Sequence, residues 1–305
     1  MSVRTICEWA KVTGRWTRYS VTERLENQGG DVVFVIPGNP GNDLFYTRFC
    51  ELLLEKSEKV SRIFSIAHLN HVPLPPGLRR LDPFQVKERY GLNQQIDHAY
   101  DFFSQIVAEQ MSDKKVTIIG HSIGSYIGTV LKGRLERDGY SVNLIGLFPT
   151  LVDMANTPAG HKVGSLVRFV ADHPKFVRFA AWIFKWFPIE LKRLLVRPWV
   201  KGAPEEVIQA SAELVDGLVI TNVGYMANDE LDNVNDLNPK VEAELSKGNV
   251  HLYYGLFDPW VPLKFAQEMS KIIGQDRVII DDTGAEHAFV IRQSEVIASK
   301  VEVLI

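Results

Sequence analysis

Cysteine is almost missing from this chain: Cys7 and Cys50 are the two that occur in 305 residues. Two thiols cannot build a disulfide framework, and their spacing is not that of metal ligands, so a reducing compartment and no bound metal or other cofactor are expected. An excess of positive charge is missing too. With 34 Lys and Arg against 37 Asp and Glu, the formal net charge is −3, which argues against nucleic acid as a partner, because phosphate binding draws on a basic surplus. Nowhere do the roughly 18 to 20 uncharged apolar residues of a membrane-spanning helix follow one another, so a membrane is expected to be met only at its surface. The first 19 residues include Arg4, Glu8, Lys11, Arg15 and Arg18, and no apolar stretch among them has the length of a signal peptide, so secretion is not expected. What is present, 46% apolar and 23% charged residues, is the balance of a soluble globular protein with a substantial core.

Short β-branched runs alternate with helical patterns, which predicts an α/β fold with a mostly parallel sheet flanked by helices. After a leading strand near Trp16 to Thr22, the runs are Val32–Ile36, Ile63–Ala67, Val116–Ile119, Leu144–Phe148, Val250–Tyr254 and Val278–Ile280. The unbroken apolar Val32–Ile36 suits a strand buried on both faces. Leu92, Ile96, Phe103, Ile106 and Val107 fall on one helical stripe that leads into Val116–Ile119. From Leu151 to Lys240 the strand signal stops and helical stretches take over. The chain therefore divides into a core of residues 1–150 and 241–305 and a helical cap or lid insertion at 151–240. No internal repeat is visible.

Gly120-His121-Ser122-Ile123-Gly124 fits G-x-S-x-G between an apolar strand and a helical stretch at Tyr126 to Glu136. The bare pattern is weak, and a tight turn with Ser122 capping a helix would also produce it. Its strand-to-helix setting is what nucleophilic chemistry needs. The hydrolase order of Ser, then acid, then His is completed by Asp258, after the strand Val250–Tyr254, and by His287, after Val278–Ile280. Each alone could be an ordinary turn residue. Together, each beyond its own strand, they predict a triad in which His287 takes the Ser122 proton and Asp258 orients the imidazole. Asp281, Asp282 and Glu286 compete for the acid's role but sit too close to the histidine in sequence. His121 is expected to pack beside the serine. An oxyanion hole is expected from the backbone N–H of Ile123 and of Asn39, the latter in Pro37-Gly38-Asn39-Pro40-Gly41, where both prolines lack an N–H. A plain Pro/Gly turn is the alternative for that loop.

These pieces resemble the lipid droplet-associated hydrolases, a family of the α/β-hydrolase superfamily. The resemblance is carried by Ile36-Pro37-Gly38-Asn39-Pro40-Gly41 with Phe45-Tyr46, by Gly120-His121-Ser122-Ile123-Gly124-Ser125-Tyr126, and by Leu147-Phe148-Pro149-Thr150 leading to Met154 and Thr157-Pro158. Thr157-Pro158-Ala159-Gly160 departs from the Ser-Pro-Asn-Gly usual in the family. The resemblance implies a serine ester hydrolase of lipid droplets and the endoplasmic reticulum, on the cytosolic face, connected with sterol ester and neutral lipid turnover.

Between His161 and Val200, eight Lys and Arg stand against Asp172 and Glu190, with Phe169, Phe176, Phe179, Trp182, Phe184, Trp186, Phe187 and Trp199 interleaved. Pro174 and Pro188 cut the segment into short helices. Basic helices with Trp and Phe on the other face lie in lipid interfaces. A lid whose aromatics pack on the core has the same composition. The family resemblance favours the first reading, with Phe179, Trp182, Phe184, Trp186 and Phe187 at the lipid surface. The leading function is thus a lipid ester hydrolase at a droplet surface. A droplet-binding or tethering protein with a vestigial site, and a soluble ester or thioester hydrolase, are the alternatives.

Overall fold

The computed structural model describes residues 3–25, 29–82 and 84–305. Eight strands form one sheet, namely β1 (Val3–Val12), β2 (Arg15–Arg24), β3 (Asp31–Ile36), β4 (Val60–Ile66), β5 (Lys115–His121), β6 (Ser141–Leu147), β7 (Val250–Tyr254) and β8 (Val278–Ile280). Their order is β1-β2-β4-β3-β5-β6-β7-β8. The pairs β1/β2 and β2/β4 are antiparallel, and every other pairing is parallel. β1 is an addition to the expected set. It forms a hairpin with β2 at the sheet's edge, and its residues are half-exposed to exposed except Val12.

Strand alternation decides which core each side chain joins. Val32, Phe34 and Ile36 of β3 enter one apolar cluster, and Val33 and Val35 enter the other. The second face is covered by α1 (Thr47–Lys56) and, at the far end of the chain, α12 (Ser294–Glu302), which pack on each other. Between them in sequence come α2 (Pro76–Leu81), α3 (Leu92–Phe102) and α4 (Ile123–Arg137). The apolar stripe of α3 runs on through a π-helical turn at Phe103–Val107, and Leu92, Ile96, Phe103 and Val107 are buried as their spacing predicts.

Between β6 and β7 lie α5 (Pro158–Asp172), α6 (Pro174–Trp182), α7 (Ile189–Val196), α8 (Glu205–Glu213), α9 (Gly217–Asn233) and α10 (Pro239–Ser246), and α11 (Leu263–Ile273) follows β7. α5 and α6 pack on α9, and α7 packs on α8. α10 instead packs on α4 and α11, within the layer that flanks the sheet. Thr157 accepts the Gly160 N–H at 3.0 Å and Pro158 follows it, so the Thr157-Pro158-Ala159-Gly160 stretch is the N-cap of α5. Among the described residues no helix is long and apolar enough to cross a membrane.

Candidate active site

Ser122 stands alone between the last residue of β5 and the first of α4, at φ 53°, ψ −124°. A side-chain-bearing residue in that region costs about 1 to 3 kcal/mol and persists only where its surroundings enforce it. Two glycines show how. A Cβ on Gly124 would lie 2.2 Å from the Ile36 carbonyl oxygen, and one on Gly38 would lie 2.9 Å from the Ser122 Cβ. The end of β3, the loop after it and the turn at the serine are thus pressed together. The Ser122 N–H donates to the Leu147 carbonyl at 2.9 Å, which ties the turn to β6.

His287 Nε2 lies 3.0 Å from Ser122 Oγ, and its Nδ1 lies 2.6 Å from Asp258 Oδ2. The carboxylate can only accept, so Nδ1 carries the proton and Nε2 is left to receive one from the serine. Asp258 is itself fixed, because Oδ1 accepts the Trp260 N–H at 2.7 Å and the Val261 N–H at 3.1 Å. Two of the three competing acids are engaged elsewhere, and the third faces solvent. Asp281 accepts the Tyr253 hydroxyl, the Thr283 N–H and hydroxyl, and the Ala285 N–H. Against the upward push of burial, those bonds hold its carboxyl below the usual range and brace the loop that leads to His287. Asp282 pairs with Lys300, and Glu286 is exposed.

His121 also packs as expected. Its Nε2 donates to the His287 carbonyl at 2.8 Å, so Nδ1 is the acceptor, 2.6 Å from the Tyr46 hydroxyl. Burial, with His287 adding to it, pushes the imidazole down to about 3. With both nitrogens committed and the ring neutral, His121 has no capacity left to activate Ser122.

The loop Pro37-Gly38-Asn39-Pro40-Gly41 passes beside the serine. Tyr46 Oη accepts the Gly38 N–H at 2.9 Å, His68 Nε2 donates to the Pro37 carbonyl at 3.1 Å, and His71 Nδ1 donates to the Pro40 carbonyl at 2.9 Å. Burial pushes the His71 imidazole down to about 4 and His68 well below its ordinary range, so both serve as neutral struts. The Gly41 N–H closes on the Gly38 carbonyl at 2.6 Å. Asn39 therefore carries the loop's uncommitted N–H among the described residues. Ile123, first in α4, likewise has no intrahelical acceptor for its own. Tyr46 entered the sequence reading only through the family resemblance, and the roles of His68 and His71 escaped it, because isolated residues in irregular loops leave no periodic trace.

A cavity of about 190 Å³ opens between this loop and His287, walled by Phe45, Trp260, Val290 and Ile291. Phe257, Pro259 and Trp260 border a second cavity of about 410 Å³ that also reaches His287. The arrangement sets the Ser122 hydroxyl against an imidazole nitrogen able to take its proton, at an apolar-walled cleft. Of the five aromatics expected at a lipid surface, Phe179 is 72% and Trp186 71% exposed; Trp182 and Phe184 are also exposed, and Phe187 is half-buried. Phe257, at 86% exposure in the same turn as Asp258, is a further exposed aromatic that the sequence reading passed over.

The same architecture recurs among solved proteins of the α/β-hydrolase fold. The 2-hydroxy-6-oxo-6-phenylhexa-2,4-dienoate hydrolase of Rhodococcus superposes with a TM-score of 0.67 at 12% identity over 99% of both chains. A bacterial membrane phospholipase A gives 0.65 at 14% identity, covering 98% of this chain and 85% of its own. At such identities the likeness is one of fold. Sequence relatives are more specific. The chain is 26% identical over 280 residues to the human lipid droplet-associated hydrolase (88% of this chain, 83% of the relative) and 27% identical over 298 residues to the chicken protein (94% and 88%). The Drosophila melanogaster protein of that name matches at 26% over 289 residues, 93% and 90%. A sequence profile described as lipid-droplet associated hydrolase spans residues 30–290, taking in the Asn39 loop, the Ser122 turn, Asp258 and His287, and by that match the chain belongs to the lipid-droplet associated hydrolase family.

Proposed function

We propose that this hydrolase cleaves hydrophobic lipid esters, sterol esters or related neutral lipids, at the surface of lipid droplets and the endoplasmic reticulum, on the cytosolic face. Ser122 is the nucleophile, His287 the general base and acid, and Asp258 the orienting carboxylate. The observation that carries this reading is the unbroken relay Ser122 Oγ to His287 Nε2, 3.0 Å, and His287 Nδ1 to Asp258 Oδ2, 2.6 Å.

In the first half-reaction, Oγ bonds to the ester carbonyl carbon while its proton passes to Nε2. The carbonyl oxygen, now negative, takes the N–H groups of Asn39 and Ile123, each such donor being worth about 3 kcal/mol in tested hydrolases. Collapse breaks the bond to the alcohol oxygen, which leaves with the His287 proton. Water then gives a proton to His287 and adds to the acyl carbon. When the second tetrahedral species breaks, the acid departs and Ser122 regains its proton.

Two features support a lipid substrate. The cleft walls are apolar, and the exposed aromatics of α6 and the turn after it stand among basic residues, as in helices that lie in a lipid interface. The relatives' name adds the droplet. Residues 151–240 act in this reading as a lid that also provides the lipid-facing surface.

The test is a hydrolysis screen across emulsified sterol esters, emulsified glycerides and soluble short esters, with Ser122→Ala as blank. Emulsified esters should be turned over, and the blank should lose about 10⁴-fold or more. Turnover confined to soluble esters would remove the lipid claim. No turnover, together with droplet binding retained in the Ser122→Ala variant, would leave the tethering role.

A further inference from the structure

Glu230 of α9 is 1% exposed, and no Lys or Arg lies within ion-pairing distance of it among the described residues. Its partner is the Asn39 side chain, whose Nδ2 donates to Glu230 Oε1 at 3.0 Å and to the Val223 carbonyl, also on α9, at 3.1 Å. Burying a carboxyl without a cation is costly. Burial pushes this one up to about 8, with the Asn39 bond acting downward and Asp229 upward.

The oxyanion loop is pinned on either side of Asn39 by groups of the core: Tyr46 on the Gly38 N–H, His68 on the Pro37 carbonyl and His71 on the Pro40 carbonyl. Asn39 itself is held from the insertion. Its Oδ1 is buried with no partner among the described residues. A neutral carboxyl can meet a carboxamide twice, its carbonyl accepting one N–H and its hydroxyl donating to the amide oxygen.

We propose that Glu230 is a positioning residue that holds Asn39 with its backbone N–H directed at the oxyanion, so that the hole is complete only while α9 is seated on the loop. The inference rests on the assignment of Ser122 and Asn39 made above. It gives the insertion a part in the chemistry, through the contacts of Glu230 and Val223 with Asn39. α9 packs against α6, which carries the exposed Phe179 and Trp182, so the surface that would meet lipid and the helix that seats Asn39 form one unit.

The experiment measures kcat and KM of the full chain on a soluble p-nitrophenyl ester. It adds the affinity for an alkyl boronic acid, which forms a tetrahedral adduct on the serine, and the melting temperature. The variants are Glu230→Met, Glu230→Gln, Asn39→Ala and the Glu230→Met/Asn39→Ala pair. Glu230→Met should lower kcat about 10- to 100-fold, short of losing a donor outright, with KM within about twofold, boronate binding weakened in parallel and melting temperature kept. Glu230→Gln, able to accept and donate as the neutral acid does, should return kcat to within about threefold of the parent. Asn39→Ala retains its backbone N–H and should match Glu230→Met, and the pair should be no worse than either single change. An unchanged kcat in Glu230→Met, an equal loss in Glu230→Gln, or additive losses in the pair would overturn the proposal. If Glu230→Met does not fold, Asn39→Ala decides, because full kcat in that variant also overturns it. Turnover surviving in Ser122→Ala would instead remove the assignment on which the inference rests.

Discussion

Ser122 at φ 53° and Phe148 at φ 48°, whose ring packs on His287, both hold their backbones against preference, and the residues around the serine are chosen for fit and neutrality. His121, next to it in sequence, donates to the His287 carbonyl and accepts from Tyr46. One neutral tautomer of His121 thereby joins the loop of His287, the Ser122 turn and, through Tyr46, the loop of residues 37–41. Keeping imidazoles neutral has a consequence for stability. Burial lowers His71 to about 4 and His98 and His121 to about 3, from 6.5. Depressed in this way, their contribution is fully present above pH 6.5 and is lost as pH falls toward the native values, since the unfolded chain then binds protons the folded chain refuses. Glu230 has the opposite sign. Raised from 4.5 to about 8, its contribution is present below 4.5 and is lost as pH rises through 8. Where the two windows overlap, these three histidines, with His68 depressed in the same direction, outweigh one carboxyl. Urea unfolding should therefore show a maximum in stability near pH 6.5, with lower midpoints at about pH 5 and about pH 8, and Glu230→Gln should flatten the alkaline side. A midpoint that climbs steadily from acid to alkaline pH would contradict it.

At the scale of elements, legibility followed burial. β3 and β5 to β8 are buried inside the sheet or short and apolar, and their runs match the structure to within a few residues. β1 was passed over because an edge strand with one face toward solvent mixes Arg4, Glu8 and Lys11 among its apolar residues, so there was no apolar run to see. The proposed triad of Ser122, Asp258 and His287, whose side chains the structure brings within hydrogen-bond reach, could be picked out because each member follows a readable strand. The struts His68, His71 and Glu230 were not, since they act through contacts between segments far apart in the chain. The basic aromatic stretch was read correctly as short helices, broken at Pro174 and Pro188, but composition could not say which way its rings face. They face outward in good part, which leads to a second prediction. Phe179→Ser together with Trp186→Ser should reduce co-flotation with phospholipid-coated triglyceride droplets at least about fivefold, while hydrolysis of a soluble ester stays within about twofold. Unchanged flotation would move the lipid contact elsewhere, and Phe257 would be the first place to look.

Across the whole molecule, the insertion and the sheet are joined by buried polar groups. Arg18 of β2 binds Asp43 at 2.8 Å and Glu213 of α8 at 2.9 Å, and Asn42 takes part from the turn after the loop of residues 37–41. With Glu230 on Asn39, this gives two anchors from the insertion onto the segment Asn39 to Asp43. The cleft is accordingly assembled from three parts: strand ends that carry Ser122, Asp258 and His287, a strutted loop that carries Asn39, and helices that hold the loop from above. The account as a whole stands on the nucleophilicity of Ser122. Its most direct measurement is modification by a fluorophosphonate, followed by mass spectrometry of the peptides. One adduct on the peptide containing Ser122, absent in Ser122→Ala and slowed at least about 100-fold in His287→Ala, is the predicted result. An adduct that persists in Ser122→Ala, or a Ser122 that stays unmodified while the chain hydrolyses esters, would contradict it.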